Sequence, residues 1–98
     1  MSDPGFRLAI ARDALKLLKA IEKGDRKVAR QLAERIQALA RDPYPTWSKQ
    51  LTDRRIEGRP VRRLRSGVYR VLYLVDALRH EVRVIDIAHR RSVYRDLS

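Results

Sequence analysis

Ninety-eight residues, 44% of them hydrophobic and 36% charged, suffice for one domain with a thin core about two layers deep. A formal net charge of +11 directs attention to anionic partners: nucleic acid, a ribosome, an anionic membrane or an acidic protein. The absence of cysteine excludes disulfide frameworks and thiolate metal sites, and His80 and His89 alone make a poor metal pair, so no cofactor is expected.

The opening residues lack the basic start and apolar run of a secretory signal, and nothing approaches the ~18 apolar residues of a membrane span. The expectation is a cytoplasmic protein, a single domain over residues 1–98, without a membrane partner. Residues 1–5 read as a terminus punctuated by Pro4-Gly5, and 6–10 as a short first strand. Over 13–21, Ala14, Leu15, Leu17, Leu18 and Ile21 follow helical spacing until Gly24. Asp25 is placed to cap a second helix, whose stripe Val28, Leu32, Ile36 and Leu39 ends at Asp42-Pro43 and Pro45. So short a link predicts an antiparallel helical hairpin.

Residues 44–58 show no regular period and read as a loop, with Trp47 as a packing plug. Three strands follow, over 61–65, 68–75 and 81–88, with a turn at Ser66-Gly67 and a longer connection at 76–80. The second is the most apolar and therefore central. Tight connections predict an antiparallel meander whose inner face receives the helices, leaving Val61, Arg63 and Arg65 together on the outer face. Residues 92–98 are expected against the edge or end of the sheet. The fold class is α+β, in the order β-α-α-β-β-β.

From Arg59 to Ser98 the chain carries ten arginines against four acids. Arg7, Arg12, Arg26, Arg30 and Arg54 read as ordinary solvated cations. The dense, one-sided cluster of the strands reads as a phosphate-binding surface, because a guanidinium presents a planar fork of donors.

The order of elements, with Arg-Leu-Arg-Ser-Gly-Val-Tyr-Arg at 63–70 and His-Arg-Arg-Ser-Val-Tyr at 89–94, resembles the RelE branch of the RelE/ParE toxin superfamily. The resemblance spans nearly the whole chain in layout and is specific only over 61–95. It implies a RelE-like microbial RNase fold and the toxin half of a type II toxin–antitoxin module, which cleaves mRNA in the ribosomal A site and so inhibits translation. It also implies catalytic roles for Arg63, Arg70, Arg90 and Tyr94, while Val61 stands where some members carry lysine. The implied partners are the ribosome with its mRNA and a co-encoded, acidic, partly disordered antitoxin, with operator DNA bound only through the antitoxin complex.

RNA is cut when its 2′-hydroxyl attacks the adjacent phosphorus in line and expels the 5′-oxygen. Arg63, Arg70 and Arg90 suit the charge that builds on the phosphorane, with Arg59, Arg62, Arg65 and Arg91 as further phosphate-binding candidates. Tyr94 can take the 2′-hydroxyl proton if surrounding cations depress its pKa, or it can stack on a base and hold the geometry. Arginine rarely gives up a proton, so His89 is a chemically better donor to the leaving group, unless it only ends its strand. Acids are scarce here, and Asp86 is expected to pair with a neighbouring arginine. The competing readings are a ParE-like inhibitor of DNA gyrase, an RNA- or ribosome-binding module that does not cut, and a non-toxic member that survives as a binding partner.

Overall fold

The computed structural model of the chain describes residues 5–90. Strand β1 (Arg7–Ile10) leads into helices α1 (Arg12–Gly24) and α2 (Arg26–Ala38). Four strands then follow: β2 (Ser48–Ile56), β3 (Arg59–Ser66), β4 (Tyr69–Asp76) and β5 (Glu81–His89). The α+β class and the helical hairpin on one face of a mainly antiparallel sheet are as the sequence predicts. The five-stranded sheet runs β1-β5-β4-β3-β2, with β4 at its centre and β1 parallel to β5.

The helices turn within a single residue. Asp25 closes α1 through its backbone N–H on Ile21 O at 2.7 Å and caps α2, its side chain accepting from Val28 N at 3.2 Å. This satisfies an orphan donor of the first turn of α2. Leu32, Ile36 and Leu39 are buried against the inner face of the sheet, where Leu64, Val71, Tyr73, Val82, Val84 and Ile87 complete the main core.

Residues 44–58 are a correction to the sequence reading, because they hold strand β2 rather than a loop. β2 is an edge strand with no fully buried residue, and its pairing with β3 is interrupted between Gln50 and Arg55. A half-paired edge needs no clean alternation, so the period that would betray a strand is missing. A second, smaller apolar cluster of Val61, Leu72 and Leu74, joined by Leu51, Ile56 and Ile85, occupies the outer face. Val61 is therefore the floor of that face and fully buried. The 92–98 segment expected at the edge of the sheet lies outside the described residues.

Candidate nucleic-acid interface

The register of the ladders places the cations. Lys49 pairs with Arg63, Arg63 with Leu72, and Leu72 with Asp86, making one row across four strands. The next row is Arg65, Arg70 and Ala88. Strand side chains alternate between faces, so Arg63, Arg65, Arg70 and Asp86 all stand on the face the helices leave open. Arg70 is buried at 9% relative exposure, Arg63 is half-buried and Arg65 is exposed. The Arg63 pKa is held below the ordinary arginine value, first by burial and then by Arg65 and Arg70. Arg63, half-buried beside two further guanidinium groups, therefore gains by meeting an anion.

Beyond the apolar floor the face changes character. Arg59 donates to Asp76 Oδ2 at 2.9 Å, and Arg83 lies within 3.4 Å of Glu81 and 3.6 Å of Glu57. Charges there are largely balanced, whereas at the other end Arg63, Arg65, Arg70 and Lys49 outnumber Asp86, so that end is net positive.

The structure brings only some of the sequence-predicted residues together. Arg59 belongs to the ion-paired end. Arg62 projects to the other face, where it donates to the Tyr73 hydroxyl at 3.2 Å and to Ser48 Oγ at 2.8 Å and lies over the Tyr44 ring. His89 pairs with Tyr69 and meets its ring edge-on at 5.6 Å, on the helix side of β5. Arg90 is exposed, and its backbone N–H donates to Val68 O at 2.7 Å, fixing where the chain leaves β5. Arg91 and Tyr94 lie outside the described residues.

Sequence reasoning missed Lys49, because its strand was read as a loop; the pairing that sets it beside Arg63 leaves no local signal. Trp47 is a second correction. It is 40% exposed, with the Arg35 guanidinium 5.2 Å from its ring centroid, and is no plug. Among the described residues no group of three or more His, Asp or Glu side chains is placed to hold a metal ion.

Comparison with known proteins gives the fold a context. Residues 8–94 match the family model of the ParE toxin of the type II toxin–antitoxin system parDE. No curated protein matches the sequence. Among solved structures, the chain is similar to one from the archaeal RelE–RelB complex of Pyrococcus horikoshii, at 22% identity and TM-score 0.72, over 88% of this chain and 96% of that one. A chain of the RelBE2 toxin–antitoxin complex of Mycobacterium tuberculosis aligns at 23% identity and TM-score 0.67, over 88% and 92% of the two chains. The isolated RelE toxin of E. coli aligns at 23% identity and TM-score 0.63, over 94% and 99%.

Proposed function

The chain belongs to the ParE toxin family of type II toxin–antitoxin systems, within the RelE/ParE superfamily, and on that premise we propose that it is a ribosome-dependent endoribonuclease that cleaves mRNA in the A site and inhibits translation. The observation that carries this reading is the Arg63–Arg65–Arg70 cluster on the open face of the sheet. A scissile phosphate seated there places its non-bridging oxygens among guanidinium forks. As the 2′-oxygen bonds to phosphorus and the 5′-oxygen leaves, the extra negative charge develops beside those cations. The products are a 2′,3′-cyclic phosphate and a 5′-hydroxyl end.

His89 faces Tyr69 rather than the arginines, so its part is to hold the end of β5 from which Arg90 and Tyr94 follow. Proton transfer then falls to Tyr94 and to groups the ribosome supplies, with Arg90 a further cation for the phosphate. Such a site, rich in charge and poor in bases, is a weak nuclease on free RNA and depends on the ribosome for substrate geometry. The cognate antitoxin is an acidic, partly disordered chain that neutralises this face, and operator DNA is bound through the pair. Both partners of the reaction, ribosome and mRNA, place the protein in the cytoplasm.

The test is primer extension on mRNA carried by programmed ribosomes, beside free RNA and the Arg63→Ala and Tyr94→Phe variants. Cleavage in the A-site codon that needs ribosomes and falls in both variants is the expected result; an intact message overturns the nuclease reading. The match to a ParE toxin model motivates one second reading, the inhibition of DNA gyrase that the resemblance implies for the ParE-like branch. It requires loss of supercoiling by purified gyrase at protein concentrations that leave message intact.

A further inference from the structure

Trp47 is the sole tryptophan of the chain and stands exposed in a loop that also exposes Tyr44. Each ring has an arginine over it, Arg35 on Trp47 at 5.2 Å and Arg62 on Tyr44 at 5.1 Å. Leaving an indole at the surface forgoes the burial that normally places tryptophan. Trp47 lines a depression of about 520 Å³, with Glu34, Arg35 and Ala38 of α2 on one side and Ser66 and Gly67 of the β3–β4 turn on the other.

This depression adjoins the basic face. Ser48 pairs with Leu64 and Lys49 with Arg63, so the chain enters β2 beside the Arg65–Ser66 end of β3. A strand of nucleic acid lying on Arg63, Arg65 and Lys49 therefore reaches Trp47 at the next step around the rim. Glu34 and Arg35 offset one another inside the depression, which suits an uncharged group there better than the carboxylates of an acidic peptide. A nucleotide meets both demands, with its phosphate on the cations and its neutral base on the ring.

We propose that Trp47, with Arg35, is a stacking subsite for a base of single-stranded RNA flanking the phosphate held by Arg63, Arg65 and Arg70. The proposal rests on the reading that RNA crosses this face, and extends it to the helix side of the rim.

Because the tryptophan is unique, its fluorescence reports this subsite alone. The protein is titrated with an uncleavable 2′-O-methyl oligoribonucleotide of about twelve nucleotides, and with an abasic strand of equal charge. Expected are quenching by the first and none by the second, although fluorescence anisotropy shows both bound. Trp47→Ala weakens binding of the base-bearing strand about tenfold and Trp47→Phe less than about threefold, with binding of the abasic strand unchanged. Binding without quenching, absence of binding, wild-type affinity in Trp47→Ala, or quenching by poly-glutamate but not by RNA overturns the proposal. Quenching in a protein that cuts nothing on ribosomes retains the subsite and removes the nuclease reading; ribosomal cleavage with a silent Trp47 does the reverse.

Discussion

Arg70 stands directly opposite Arg65 in the β3–β4 ladder, two cations paired across adjacent strands on one face. Like charges so placed destabilise a sheet, and Arg63 adds a third, its pKa lowered by burial and by these same neighbours. A cation whose folded-state pKa is lowered is disfavoured by the fold in its charged form, so removing its charge relieves the protein. Arg63→Gln is therefore expected to raise the unfolding free energy by roughly half a kcal/mol, while RNA affinity falls. Urea denaturation and anisotropy at one fixed salt concentration check the pair of effects. A variant weaker in both would mean that Arg63 contributes packing rather than stored repulsion.

One residue earlier in the chain the expectation reverses. The Tyr73 hydroxyl is buried, donates to Pro43 O at 2.9 Å and accepts from Arg62 Nε at 3.2 Å. Arg62 also holds Ser48, whose Oγ donates to Pro45 O at 2.9 Å. Tyr73→Phe leaves a carbonyl and a guanidinium short of a partner and is expected to cost about 1–2 kcal/mol. Arg62→Ala is expected to lower stability by a similar amount with RNA affinity unchanged. A loss of affinity in Arg62→Ala comparable to that of Arg63→Ala would return Arg62 to the binding face.

Val61, which stands where the resemblance implies lysine in some members, is at 0% exposure on the outer face of β3, packed with Leu72 and Leu74 and flanked by Leu51, Ile56 and Ile85. An ammonium there has to leave water or push aside the apolar side chains that cover it. Val61→Lys is expected to cost about 2–4 kcal/mol in urea denaturation and not to raise cleavage on ribosomes. A stable, more active variant would show that the outer cluster opens readily.

The helices and the central strands were legible because each obeys a strong local rule. Leu32, Ile36 and Leu39 keep a helical period, Asp25 caps, and the 69–76 run is apolar enough to be central. The shared face of Arg63 and Arg65 followed from strand alternation alone. That Arg70 completes their cluster is a fact of register, fixed by the two-residue turn between Ser66 and Tyr69, whose Gly67 has φ +60°. Arg59 and Arg62 illustrate the limit. Composition groups them with their neighbours, whereas Asp76 and Tyr73, far along the chain, decide where each guanidinium goes. Strand β2 escaped because nothing buries it fully, and with it went Lys49 and the setting of Trp47.

One signal for β2 was present in the sequence, and it can be strengthened. Ile56 pairs with Arg59, so Glu57 and Gly58 are the whole of a two-residue hairpin turn, with φ +55° and +77°. Two positive φ angles are what a type I′ turn requires, which glycine meets freely and asparagine meets far better than glutamate. Glu57 gives something back through ion pairs at 3.8 Å to Arg59 and 3.6 Å to Arg83, but its side chain is 58% exposed and such pairs contribute little. Relief of backbone strain should win. Glu57→Asn is expected to stabilise the protein by roughly 0.5–1 kcal/mol and Gly58→Ala to destabilise it by about 1 kcal/mol, both read from the urea midpoint at constant slope. If Glu57→Asn lowers the midpoint, the ion pairs outweigh the turn, and the β2–β3 connection is held by charge.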